Sequence, residues 1–207
     1  MLSDSTLVSG GGDNLIKLWN VTTGLVLKSL KGHTLWVKSL LVLSDDTLIS
    51  ASADSTIKIW NAKKGKVIKT LSGHTGWIWS LIYLHDNTIA SCSWDKTIKI
   101  WNLTTGVVTK TLAGHTSAVL CLVFLPNSTL FSGSGDMTIK IWNLTTSQLM
   151  RTLSGHSSWI WSLAILPNHS LVSGFDDNTI TVWNTTTGNE FKMLTGHNNA
   201  VWSLAFL

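Results

Sequence analysis

Short apolar runs separated by turn residues set the rhythm of this chain, which is the pattern of strands rather than helices. Between residues 73 and 112 the runs predict strands at 77–83, 88–92, 97–101 and 107–112. The turns between them fall at His85-Asp86-Asn87, at Ser93 to Lys96 and at Thr104-Thr105-Gly106. Thr97-Ile98-Lys99-Ile100-Trp101 and copies such as Thr56-Ile57-Lys58-Ile59-Trp60 are rich in β-branched residues, which suit a pleated, half-buried surface. Gly24, Gly65, Gly106 and Gly188 mark the third turn of their copies.

The whole pattern recurs every 41 residues without an insertion. Gly-His returns at His33, His74, His115, His156 and His197; an Asp at Asp13, Asp54, Asp95, Asp136 and Asp177; and Trp-Asn at Trp19, Trp60, Trp101, Trp142 and Trp183. A fixed period of this size marks a repeat architecture built from one supersecondary unit per copy. Four short antiparallel strands make a small sheet with two faces to bury, and such a sheet does not stand alone. Stacking the sheets radially buries both faces. Five unbroken repeats without a linker in 207 residues predict a single domain, residues 1–207.

Gly-His, Asp and Trp-Asn at these spacings resemble the WD repeat, over the whole chain and five times in register. The second letter of the signature is Asn in all five copies, where the family usually has Asp; it reads as an exposed turn residue. The resemblance implies an all-β fold, a β-propeller of four-stranded antiparallel blades. Leu2 to Leu7 aligns with Leu43 to Leu48, while Ala200 to Leu207 reads as a first strand with nothing after it. The expectation is therefore five blades, the first closed by the C-terminal strand, which removes two sheet edges at once. Propellers of this family usually have seven blades, so five demand a sharper rotation per blade. A closed ring implies a monomer; the alternative is a fragment of a larger propeller or a homo-oligomer that shares blades.

Each copy also contains His, Ser and Asp, the residue types of a hydrolase triad. No nucleophile elbow of the form G-x-S-x-G surrounds any of the five serines, and an enzyme needs one such set, not five. The competing account is a hydrogen-bond chain from the indole N–H through the Ser hydroxyl and a neutral His to the Asp. It resembles the structural tetrad of WD repeats. The resemblance assigns the tetrads His33, Ser50, Asp54, Trp60; His74, Ser91, Asp95, Trp101; His115, Ser132, Asp136, Trp142; and His156, Ser173, Asp177, Trp183. In the first copy Ser9, Asp13 and Trp19 take their His from His197.

Twelve Trp are present, and the tetrads use five. Three residues after the repeat His stand Trp36, Trp77, Ala118, Trp159 and Ala200; five after it stand Lys38, Trp79, Leu120, Trp161 and Trp202. The two positions are two apart in a strand and so share a side. Trp94 precedes the turn Asp95, where Gly12, Ala53, Gly135 and Asp176 stand in the other copies. These slots are similar to those that line the channel mouth of WD-repeat propellers, where peptides dock. They vary between copies while the tetrads do not, as expected of a site grafted onto a uniform scaffold. The competing account is wide indoles filling the gaps between blades.

Trp36, Lys38, Trp77, Trp79, Trp94, Trp159, Trp161, Asp176 and Trp202 are thus the candidate ligand-binding residues of a non-enzymatic scaffold for a peptide or protein partner. Indole faces also hold cations such as Lys, Arg or methylated Lys, and Asp176 is placed to pair with one. Trp stacking equally suits sugars or single-stranded nucleic acid, which stand as the alternative partners.

The net charge of +4 arises before residue 70, where nine of the fifteen basic residues meet five acidic ones. Much of the Lys follows the repeat, however, so a dedicated nucleic-acid patch is not expected. Cys92 and Cys121 stand at different places in their repeats, without partners at metal-ligand spacing, and read as buried free thiols of a reducing compartment. Neither a metal nor a cofactor is expected. MLSDSTLVSG lacks the basic and apolar regions of a secretory leader, and no apolar run reaches 18 residues, so the expected location is cytoplasmic. Six Asn-x-Ser/Thr triplets arise mostly from the repeated Trp-Asn turn and read as turns rather than glycosylation sites.

Overall fold

The computed structural model describes residues 6–43, 46–155, 157–167 and 169–205, and its regular structure is entirely β. Five antiparallel sheets follow one another along the chain. The first contains β1 (Thr6–Gly10), β2 (Ile16–Asn20) and β3 (Val26–Leu30). The second contains β4 (Val37–Val42), β5 (Thr47–Ser52), β6 (Thr56–Asn61) and β7 (Lys66–Ser72). The third contains β8 (Ile78–Tyr83), β9 (Thr88–Ser93), β10 (Thr97–Asn102) and β11 (Val108–Ala113). The fourth contains β12 (Val119–Leu125), β13 (Thr129–Ser134), β14 (Ile139–Asn143) and β15 (Gln148–Leu153). The fifth contains β16 (Ile160–Ile165), β17 (Leu171–Phe175), β18 (Ile180–Trp183) and β19 (Glu190–Leu194). Strands of each sheet are ordered as in the chain, and the four of the third sheet lie within one residue of the runs read from sequence.

Four sheets have the expected four strands, and the first has three. Residues 201–205 are in no strand; Leu2 to Ser5 and Phe206-Leu207 lie outside the described residues. The chain divides into two compact units, Met1–Ser93 with Lys99–Thr109, and Trp94–Ile98 with Lys110–Leu207.

Burial follows strand position. β5, β9 and β13 are buried at five consecutive residues and β17 throughout, so both of their faces are covered. Apolar side chains of successive sheets close over them. In the first unit Ile16, Leu18 and Leu30 pack with Val37, Leu48 and Trp60, and Ile49, Ile57 and Leu71 pack with Ile78, Ile89 and Trp101. In the second unit Phe131, Ile139 and Leu153 pack with Ile160, Phe175 and Trp183. The last strands, β7, β15 and β19, are largely exposed.

Two departures from regular pairing matter for the site. In the second sheet Val37 pairs with Ser52 and Ser39 with Ala51, so Lys38 is an extra residue, a β-bulge. The same bulge falls at Trp79, Leu120 and Trp161 in the next three sheets. A second bulge lies opposite the tetrad Trp and leaves Leu27, Ile68, Met150 and Phe191 as extra residues of the last strands. All four are exposed. Bulges at an edge twist it away from edge-to-edge pairing with other chains.

Successive sheets are also joined by a basic ladder. Lys69 Nζ donates to the Thr104 carbonyl at 2.6 Å and Arg151 Nη1 to the Thr186 carbonyl at 2.8 Å. Lys28 reaches Lys63 O and Lys110 reaches Leu144 O in the same way. Each basic side chain thus caps the Trp-Asn turn of the following sheet.

Candidate functional site

The tetrads form as chains of short hydrogen bonds. In the second sheet the Trp60 indole donates to Ser50 Oγ at 2.7 Å, Ser50 meets His33 Nε2 at 2.7 Å, and His33 Nδ1 meets Asp54 Oδ2 at 2.7 Å. Distances around His115, Ser132, Asp136 and Trp142 agree to within 0.1 Å. Trp101, Ser91 and His74 repeat the first two links, at 2.8 and 2.7 Å. In the first and last sheets Trp19 donates to Ser9 and Trp183 to Ser173, both at 2.8 Å. His156 lies outside the described residues, and His197 is exposed, unlike the buried His33, His74 and His115.

The protonation states match the chain of donors. Burial disfavours the charged imidazole of His33 and, despite the attraction of Asp54, leaves its pKa below the ordinary value. Burial also works against the Asp54 carboxylate. Hydrogen bonds from Thr56, His33 and the Thr34 backbone outweigh it and hold the carboxyl below the usual range. Asp136 is lowered in the same way, its hydrogen bonds from His115 and Thr138 overcoming burial. A neutral His33 therefore donates through Nδ1–H to a charged Asp54 and accepts the Ser50 hydroxyl proton at Nε2.

Ser50, Ser91, Ser132 and Ser173 have no exposed surface, so none is open to a substrate. Cys121 is buried as well, its thiol pushed up to about 12 by that burial. Among the described residues no group of three His, Cys, Asp or Glu is placed to hold a metal ion, and no helix is long and apolar enough to cross a membrane.

Two series escaped the sequence reading. A Thr two residues after the tetrad Asp anchors it: Thr56, Thr97, Thr138 and Thr179 each donate their hydroxyl to the Asp Oδ1 at 2.6–2.7 Å. A Ser two residues after the tetrad Ser holds the loop in front of the first strand. Ser52 donates to the Leu35 carbonyl, Ser93 to Gly76 and Ser134 to Ala118. Both series step by 41, and that recurrence was the available signal.

These bonds fix the loops that carry the variable slots. The slot before the tetrad Asp donates its backbone N–H to the carbonyl of the first Trp slot: Ala53 to Trp36, Gly135 to Ala118 and Asp176 to Trp159, at 2.9–3.0 Å. Residues 17 apart in sequence are thereby neighbours. Trp36 also lies against Gly12 and Trp159 against Gly135, where a Cβ would stand 3.8 and 3.3 Å from the respective indole.

Eight of the nine candidate ligand-binding residues gather into one cluster in each unit. In the first, the Trp36 and Trp77 rings lie 5.9 Å apart and those of Trp77 and Trp79 6.4 Å apart. Lys38 Nζ sits 4.6 Å from the Trp36 ring and 4.3 Å from Trp79. In the second, Trp159 lies 5.6 Å from Trp161, which lies 6.3 Å from Trp202 and donates its indole N–H to Asp176 at 2.9 Å. Trp94 stands 44% exposed before the Asp95 turn. Trp36 is 49% and Trp202 72% exposed, whereas Trp77, Trp79 and Trp161 are half-buried. The indoles are therefore partly packing and partly surface.

Comparison with known proteins agrees with this geometry. The family model described as "WD domain, G-beta repeat" matches residues 24–61, 65–102, 106–143 and 147–184. The chain belongs to the WD-repeat family. Among solved structures it is similar to the WD40 beta propeller domain of Doa1, with 30% identity and a TM-score of 0.84 over 96% of this chain and 68% of that one. A search of curated proteins finds no match. WD-repeat propellers generally mediate protein interactions and are typically non-catalytic scaffolds.

Proposed function

We propose that this WD-repeat protein is a non-enzymatic scaffold whose tryptophan clusters bind a peptide or protein partner. The observation that carries the reading is the split between the two sets of residues. The tetrad residues are the same in every copy and four of their serines, Ser50, Ser91, Ser132 and Ser173, are sealed, whereas Trp36, Trp94, Trp159 and Trp202 vary between copies and remain exposed. Exposed indoles are the commonest anchors of protein interfaces, and truncating a central one costs about 2 kcal/mol or more of binding. Cys92 and Cys121, both buried and neither in a disulfide, fit a reducing compartment, so the cytoplasm is the proposed location.

A single domain of five blades is part of the same proposal, with the segment around Val201 supplying the fourth strand of the first sheet. Two contacts support it. Val201 donates its N–H to the Phe175 carbonyl, as Val37 does to Gly11, and its own carbonyl receives the Ser162 hydroxyl.

Trp36→Ala and Trp202→Ala test the binding surface. Capture of partners by the wild-type chain is compared with capture by each variant, alongside thermal melting. Loss of a partner by about thirtyfold in affinity, with a midpoint close to wild type, is expected of surface anchors. Undiminished capture removes the proposal, and so does a loss of several kcal/mol of stability, which is the signature of a packing role.

A further inference from the structure

The two tryptophan clusters differ in charge, and the difference is built into their geometry. In the second unit, Trp161 is hydrogen-bonded to Asp176, an exposed carboxylate. In the first, the bulge after Val37 turns Lys38 onto the indole faces, 4.3 Å from Trp79, 4.6 Å from Trp36 and 5.9 Å from Trp77. That aromatic cluster therefore already contains its cation. A Lys or Arg brought by a partner would meet a like charge on the same rings, at a site where the indoles exclude much of the water that screens it.

The Lys38 ammonium has three N–H donors, and ring faces attract its charge without accepting three hydrogen bonds. Among the described residues no carboxylate lies within ion-pair distance of it. Burial by the surrounding rings also lowers the Lys38 pKa, so the charged form is under-solvated as it stands. The wider field has the same sign. The first unit contains ten basic and six acidic residues, the second five of each.

We infer that the Trp36, Lys38, Trp77 and Trp79 cluster is a docking site for an acidic segment of a protein partner, in which Lys38 receives a carboxylate and the indoles cover the neighbouring apolar residues. This rests on the reading of the tryptophan clusters as a docking surface and names the chemistry one of them selects. A carboxylate supplies hydrogen-bond acceptors that the ring faces do not, and the ion pair is shielded by the rings around it. Lys38 stands where Trp79, Leu120, Trp161 and Trp202 stand in the other copies, so the preference is confined to one repeat.

The test uses the full chain and two fluorescein-labelled twelve-residue peptides, one of Gly-Glu-Leu repeats and one of Gly-Lys-Leu repeats, followed by fluorescence anisotropy. The acidic peptide is expected to bind about tenfold tighter than the basic one, with Lys38→Gln removing about tenfold of its affinity and Lys38→Arg retaining it. Thermal melting of both variants confirms that the chain is folded. Preference for the basic peptide, an unchanged affinity in Lys38→Gln, or displacement of the acidic peptide by dodecathymidylate in preference to unlabelled peptide overturns the inference. Trp79→Ala separates the two levels of argument. If the basic peptide binds and depends on Trp79, docking stands and the acidic preference falls; if neither peptide binds, or binding survives Trp79→Ala, both fall.

Discussion

At the scale of single residues, burial decides what the His-Ser-Asp sets are for. Ser50 has no exposed surface and accepts the Trp60 indole at 2.7 Å while facing His33 at the same distance, so its hydroxyl is consumed by the fold. The tetrad also makes stability depend on pH in a defined direction. The folded-state pKa of His33 lies below its ordinary value of 6.5, so on acidification the unfolded chain takes up that proton first. Stability falls wherever the unfolded state binds more protons and pH decreases. Asp54 and Asp136, both lowered, contribute stability that is present above their ordinary value of 3.8 and lost as pH falls through their folded values. Urea unfolding between pH 7.5 and 5 is thus expected to show a midpoint that declines from about 6.5 downward. A second decline is expected in strong acid. His33→Asn should be less stable at pH 7.5 and flatter over the upper range, and a wild-type midpoint independent of pH there contradicts the neutral, buried His33.

At the scale of strands and sheets, fit between neighbours explains the small differences among copies. Gly133 in β13 pairs across the sheet with Cys121 and faces Ile160 of the next sheet; a Cβ there would lie 2.6 Å from each side chain. The corresponding residue of β5 is Ala51, also fully buried, but its cross-strand partner is the smaller Ser39. Gly133→Ala is therefore expected to destabilise by about 1–3 kcal/mol, as overpacking does, and the added change Cys121→Ser to return part of the loss. Urea titration of the single and double variants measures both, and additive losses contradict the shared-space account. The strands themselves were legible in sequence because apolar runs and turn residues alternate so regularly: β9 runs Thr88–Ser93 where 88–92 was expected. The bulges were not. Residues on either side of Lys38 keep a strand pattern, and one unpaired position leaves no trace in apolar periodicity. The Lys28, Lys69, Lys110 and Arg151 column was visible, but not its role, because each side chain reaches a carbonyl in the following repeat.

At the scale of the whole molecule, the unequal sheets pose the remaining question. β1 borders a three-stranded sheet, with Leu7 55% exposed, and an exposed edge strand is a template for pairing with another chain. Val201 is buried and hydrogen-bonded to Phe175 and Ser162, while the residues after it, 202–205, are in no strand. A three-stranded sheet and a stretch of strand-forming sequence that joins no strand among the described residues are complementary, whether they meet within one chain or between two. Completion within the chain costs no association entropy, which for two separate chains amounts to about 4–15 kcal/mol, so it is the expected outcome. The solution mass then corresponds to one chain of 22.6 kDa and does not change with concentration. Light scattering coupled to gel filtration over a hundredfold dilution measures it. A stable multiple of the chain mass shows instead that the strand is exchanged between copies, and overturns the five-bladed, self-completed form.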